Sequence, residues 1–137
     1  MKKSKRFVLD TNVLVSAALF SNSVPALAVK KAFNIGTVMV SEECLEELLR
    51  VLIDEKFEKY APFKERMLFL QWIKKSSELV NVIEKVVLCR DPKDNKFLSL
   101  AVSANAECIV SGDNDLLILN PFKNISIITP AEFIEVF

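Results

Sequence analysis

Four short apolar runs rich in β-branched residues punctuate this chain, and helix-forming stretches separate them. The runs are Phe7-Val8-Leu9, Thr37-Val38-Met39-Val40, Cys108-Ile109-Val110 and Ile125 to Ile128. Runs this short and this continuously apolar fit strands buried on both faces. Their alternation with helical segments is the pattern of βα units wound into a parallel sheet. The expected architecture is a three-layer α/β/α fold with a mostly parallel central sheet. The 137 residues suffice for one such domain over 1–137, and a composition 51% hydrophobic and 26% charged suits a packed globule.

The connecting segments support this reading. Val13 to Leu19 and Ala26 to Phe33 are helical in composition, with Pro25 in the first turn of the second helix and Gly36 at its end. Ser41 caps a helix whose apolar arc comprises Cys44, Leu45, Leu48, Leu49, Val51, Leu52 and Ile53. Pro62 opens another helix, and Asp91-Pro92-Lys93-Asp94 starts one more. Val80 to Leu88 is β-prone but interrupted by Asn81, Glu84 and Lys85, which makes it the candidate third strand without defined boundaries.

What the chain lacks narrows its chemistry. It contains no histidine, which removes His-based triads and His-ligated zinc or iron. Gly36 and Gly112 are the only glycines, so neither common glycine-rich phosphate cradle can be written. Cys44, Cys89 and Cys108 are widely spaced and odd in number, as for buried thiols in a reducing compartment rather than a disulfide framework or a zinc ribbon. Eighteen basic and 18 acidic residues cancel, against strong indiscriminate nucleic-acid binding. Two local basic clusters remain, Lys2, Lys3, Lys5 and Arg6 at the amino terminus and Lys56, Lys59, Lys64 and Arg66 mid-chain. Each reads by default as solvated surface. The longest uncharged run, Thr11 to Val29, is broken by Asn12, Ser21, Asn22, Ser23 and Pro25 and makes a poor membrane span. A cytoplasmic protein without a membrane partner is expected.

The acids sit where an open α/β sheet places its functional crevice, beyond the carboxyl ends of the strands. Asp10-Thr11-Asn12 follows the first strand, Ser111-Gly112-Asp113-Asn114-Asp115 follows a later one, and Asp94 lies near the start of the intervening helix. Singly, each has a structural explanation as a helix cap or turn. Together they repel one another unless a cation lies between them. Oxygen ligands without histidine or thiolate suit Mg²⁺ or Mn²⁺. The Ser41 helix offers a further acid, with Glu46 and Glu47 on opposite edges of its apolar arc and Glu43 toward solvent. Periodicity alone does not choose between Glu46 and Glu47.

Three segments in this order, FVLDTNVLVSAAL at 7–19, VSEECLEELLRVL at 40–52 and RDPKDNKFLSLAVSANAECIVSGDNDLL at 90–117, resemble the PIN-domain ribonucleases, in particular the VapC-like toxin components of toxin–antitoxin systems. The resemblance implies a PIN-like fold and metal-dependent hydrolysis of RNA. It implies that Asp10, Glu47, Asp94 and Asp113 form the catalytic acidic quartet holding Mg²⁺ or Mn²⁺, with Asp115 as a further metal position. It selects Glu47 over Glu46 and makes Thr11, Asn12 and Ser111 supporting residues, while Asp91 is better explained as a helix cap. An antitoxin protein as partner and a homodimer are also implied. Lys93 and Lys96 flank Asp94 as the nearest candidates for RNA contact, with Lys2 to Arg6 as candidates at the rim.

Two other functions fit the sequence less well. An aspartyl phosphotransferase with Asp10 as nucleophile needs a second aspartate two residues on, where this chain has Asn12. A non-catalytic PIN-like module binding RNA or protein would be marked by lost acids, and here they are present.

Overall fold

The computed structural model describes residues 5–137. Five strands, β1 (Lys5–Leu9), β2 (Gly36–Val40), β3 (Glu78–Leu79), β4 (Cys108–Val110) and β5 (Ser126–Ile128), form one sheet in the order β3-β2-β1-β4-β5. Every pairing is parallel. The chain leaves β1 toward β2 on one side and later returns to β4 on the other, so the strand order reverses at β1. The carboxyl ends of β1 and β4 flank the resulting crevice.

Period-two alternation divides the strands between two helical layers. Phe7, Leu9, Val38, Val40, Cys108 and Val110 face a layer built from α1 (Thr11–Leu19), α2 (Val24–Ile35), α3 (Glu42–Leu52), α4 (Phe63–Ser76) and α7 (Pro130–Val136). Val8, Met39, Ile109 and Ile127 face α5 (Asn95–Ala104) and the short α6 (Asn114–Leu117). Local chemistry sets the helix starts. Ser41 accepts from the Cys44 N–H, Ser23 from the Ala26 N–H ahead of Pro25, and Thr129 and Glu132 close a capping box around Pro130. Gly36 is required by proximity, since a Cβ there would lie 2.5 Å from the Lys5 carbonyl oxygen and 2.7 Å from the Phe7 ring.

The structure corrects four expectations. First, the β-prone segment Val80–Leu88 is not a strand. The ladder on β2 involves Glu78 and Leu79 and ends with the Val80 N–H on the Val40 carbonyl. Beyond it the chain runs as a strap along α5, whose polar stripe replaces a neighbouring strand as acceptor. Ser103 Oγ accepts from the Ile83 and Glu84 N–H groups, Ser99 Oγ from Val86, and Asn95 Oδ1 from Leu88 and Cys89. Val80, Val82 and Val86 pack inward, while Ile83 and Val87 face solvent.

Second, the α3 arc is narrower than expected. Cys44, Leu48 and Leu52 are buried, but Leu49 and Ile53 are exposed. Third, Arg66 is no part of a surface cluster. Its side chain is 1% exposed, donating to the Ala61, Leu52 and Asp54 carbonyls and pairing with Glu58 at 2.5 Å. Fourth, Lys5 and Arg6 lie at the amino end of β1, about 13–16 Å of extended chain from Asp10, and so are not at the rim. Lys2 and Lys3 lie outside the described residues. Among those residues no single helix is long and apolar enough to cross a membrane.

Candidate active site

Asp10 follows β1 directly, and its N–H extends the β1–β4 ladder by donating to the Val110 carbonyl at 3.0 Å. The sheet therefore fixes its backbone. Its carboxylate does two things at once. Oδ1 caps α1, accepting from the Asn12 and Val13 N–H groups at 2.7 and 3.4 Å, while Oδ2 accepts from the Ser111 hydroxyl. Burial pushes this carboxyl above its ordinary value, opposed by the hydrogen bonds from Ser111, Asn12 and Val13 and reinforced by the Asp113 charge.

Ser111 links the two strand ends. Its N–H donates to the Ile128 carbonyl, and its fully buried hydroxyl donates to Asp10 and accepts from the Asp113 N–H at 3.0 Å. Asp113 caps α6, taking the Asp115 N–H at 2.9 Å. The turn that follows β4 thus aims both aspartates toward Asp94.

Asp94 behaves unlike a cap. Asp91 does the capping of the preceding turn, accepting from the Lys93 N–H at 3.0 Å, whereas Asp94 makes no side-chain cap bond to α5. Asp94 is 8% exposed and its Oδ2 has no hydrogen-bond partner. A buried unpartnered carboxylate oxygen is costly. Burial, then a side-chain hydrogen bond with Asp113 and the Asp113 charge, and then the charges of Asp91 and Asp10 push the Asp94 carboxyl up to about 7. One carboxylate oxygen from each of Asp94, Asp113 and Asp115 lies within 4.8 Å of the other two. Asp10 adjoins them through Ser111 and through its charge.

Glu47 occupies the half-buried edge of α3. The Thr11 hydroxyl donates to its Oε1, and the Lys96 ammonium lies 3.0 Å from its Oε2. Thr11 neighbours Asp10 and Lys96 lies two residues beyond Asp94, so both ties lead back to the acidic edge. Glu46 is exposed on the other side, beside Glu42, Leu45, Leu49 and Lys74. Glu47 stands outside the trio, held next to it by Thr11 and Lys96.

The supporting residues differ in kind. Thr11 and Ser111 are buried and bonded to acids, whereas the Asn12 side chain is exposed and only its N–H meets Asp10. Lys93 is exposed. The Lys96 side chain is 7% exposed and committed to Glu47 and the Lys93 carbonyl oxygen. Sequence reasoning missed Arg90, whose guanidinium lies 3.0 Å from Asp115 Oδ1. Its position directly before Asp91-Pro92 was visible, but its delivery to Asp115 depends on the strap along α5.

Oxygen donors alone, with one buried oxygen unpartnered, fit a hard divalent cation. Asp94, Asp113 and Asp115 are near enough to share one, and Asp10 is tied to Asp113 through Ser111.

Comparison with known proteins agrees with this architecture. An uncharacterized protein of Methanocaldococcus jannaschii is 34% identical, covering 100% of this chain and 95% of the relative. The crystal structure of VapBC2 from Rickettsia felis bound to a promoter DNA fragment superposes with a TM-score of 0.63 at 16% identity, covering 89% of this chain and 96% of that one. VapC20 of Mycobacterium tuberculosis, a sarcin-ricin loop cleaving toxin, gives 0.54 at 11% identity, covering 88% and 98%. These structural likenesses show a shared fold. The family model for the PIN domain matches residues 6–115, and the chain belongs to the PIN domain family.

Proposed function

We propose that residues 1–137 form one PIN-type domain that hydrolyses RNA phosphodiester bonds with Mg²⁺ or Mn²⁺ held by Asp10, Glu47, Asp94, Asp113 and Asp115. The observation that carries this reading is the buried Asp94 carboxyl, whose Oδ2 has no hydrogen-bond partner and which has an oxygen within 4.8 Å of oxygens of Asp113 and Asp115. When bound, the cation supplies water activation and stabilises negative charge developing on the phosphodiester.

The chain's own residues set the geometry. Ser111 orients Asp10, Thr11 and Lys96 orient Glu47, and the α6 cap orients Asp113. Burial raises Asp10 and Asp94, and Asp94, pushed up to about 7, shares a proton that a cation would displace. Lys93 is exposed beside the edge and free to meet the RNA backbone.

Likeness in fold to VapC20 and VapBC2 supports a toxin role, with RNA as substrate and an antitoxin protein as partner; a homodimer as the working form is part of the proposal. Its test is growth arrest on expression, relieved by a small protein encoded beside this one. The enzymatic reading is tested by incubating purified protein with RNA. Cleavage is expected in Mn²⁺ or Mg²⁺, absent in EDTA, and lost in Asp94→Asn. Intact RNA under every metal condition would leave a binding module as the remaining reading.

A further inference from the structure

Arg90 is placed to leave the acidic edge, and Lys96 is not. The Arg90 side chain is 89% exposed while its guanidinium sits 3.0 Å from Asp115 Oδ1. Lys96, the other cation ion-paired at this edge among the described residues, is 7% exposed and tied to Glu47 and to the Lys93 carbonyl. The backbone carrying Arg90 is anchored, because Asn95 Oδ1 takes the Leu88 and Cys89 N–H groups at 3.0 and 2.8 Å immediately before it. An exposed guanidinium therefore extends from an anchored backbone next to the Asp94, Asp113 and Asp115 carboxylates.

Two demands meet at Asp115. Its carboxylate belongs to the acidic trio, yet it is engaged by Arg90. An acidic pocket that binds a polyanion also needs a cation to receive phosphate. A guanidinium suits this because its planar fork matches two phosphate oxygens. Only the Arg90 side of this pair is open to solvent, which screens the attraction, so an incoming phosphate can displace it.

We propose that Arg90 is a phosphate ligand for RNA and that it exchanges partners. Without RNA it pairs with Asp115. With RNA it binds a phosphodiester and releases the Asp115 carboxylate to the cation. This rests on the metal-dependent reading above and adds a coupling to it. RNA and the divalent cation each favour the other's binding, by the reciprocity of linked equilibria.

The test compares wild type with Arg90→Gln and Arg90→Lys, each checked for folding by circular dichroism. Mn²⁺ affinity is measured by calorimetry without RNA. Affinity for a short labelled single-stranded RNA is measured in Ca²⁺ across a salt series. Arg90→Gln is expected to bind Mn²⁺ about three- to fivefold more tightly, since it frees Asp115. It should bind RNA about tenfold more weakly, with the salt slope reduced by about 0.7 for one lost phosphate contact. Arg90→Lys should keep the slope and recover part of the affinity. In an Asp115→Asn background, Arg90→Gln should no longer tighten Mn²⁺ binding.

RNA affinity and slope unchanged in Arg90→Gln would overturn the phosphate role. Mn²⁺ affinity unchanged or weakened, or a gain that persists without the Asp115 carboxylate, would overturn the exchange. A wild-type protein that neither binds Mn²⁺ nor cleaves RNA defeats the nuclease reading and this inference with it. Normal wild-type binding and cleavage, matched by Arg90→Gln, defeats this inference alone.

Discussion

Replacing Asp94 by asparagine should shift the stability of the protein in opposite directions with and without a divalent cation. The Asp94 carboxyl is 8% exposed, its Oδ2 is unpartnered, and burial with the Asp113, Asp91 and Asp10 charges raises it from an ordinary 3.8 to about 7. Each unit of such a displacement is worth about 1.4 kcal/mol, which sets a ceiling of about 4 kcal/mol on the cost of ionising Asp94 in the ion-free fold. Asp10 and Asp113 share that repulsion, so we expect about half, roughly 2 kcal/mol.

The sign follows from the two states. Below about pH 4 both folded and unfolded chains hold the proton and nothing is lost. Between about 4 and 7 the unfolded chain ionises first, so stability falls as pH rises; above about 7 the whole cost is present. Asparagine has no such dependence, and Asp94 makes no cap bond whose loss would obscure the gain. In EDTA at pH 8 the variant should melt higher by roughly 5–10 °C, at about 3–5 °C per kcal/mol for a chain of this size. In Mn²⁺ at a hundredfold excess over Kd the wild type should gain about 2.7 kcal/mol and the variant much less. Thermal melts at pH 4 and pH 8, in EDTA and in Mn²⁺, read all of this. A variant that melts below wild type in EDTA at pH 8, or a Mn²⁺ gain equal in both proteins, would refute the reasoning.

Further outcomes are expected elsewhere. Glu47→Gln should abolish metal-dependent cleavage while Glu46→Gln retains most of it, because Thr11 and Lys96 hold Glu47 beside the site and Glu46 faces the α4 side; RNA gels decide, and the reverse result would reassign the α3 ligand. Arg66→Met should cost about 3 kcal/mol in urea unfolding through three carbonyls that lose their donor, whereas Glu58→Gln, at a side chain 60% exposed, should cost less than about 1 kcal/mol. Asn95→Ala should speed hydrogen exchange of the Leu88 and Cys89 amides about tenfold with the sheet amides unchanged, since it removes their shared acceptor.

The legible parts of this fold were those written locally. Phe7–Leu9, Thr37–Val40, Cys108–Val110 and Ile125–Ile128 all lie in or overlap parallel strands, because short apolar β-branched runs have little other use in a chain this size. The placement of acids at the strand ends was legible for the same reason. What depended on distant partners was not. The segment Val80–Leu88 has strand-like composition, but Asn95, Ser99 and Ser103, spaced at helical intervals on α5, capture its N–H groups. Helical periodicity left Glu46 and Glu47 equivalent; Thr11 and Lys96, from other elements, break the tie. Arg66 looks like any surface arginine until the Leu52, Asp54 and Ala61 carbonyls converge on it.

The central claim is that these carboxylates hold a divalent cation, and anomalous scattering from Mn²⁺-soaked crystals tests it most directly. The account predicts a manganese peak among Asp94, Asp113 and Asp115 on the side facing Asp10, with Asp94 Oδ2 at a direct ligand distance of about 2.1 Å. Crystals that take up manganese elsewhere, or not at all, while Asp94 Oδ2 stays without a partner would contradict it.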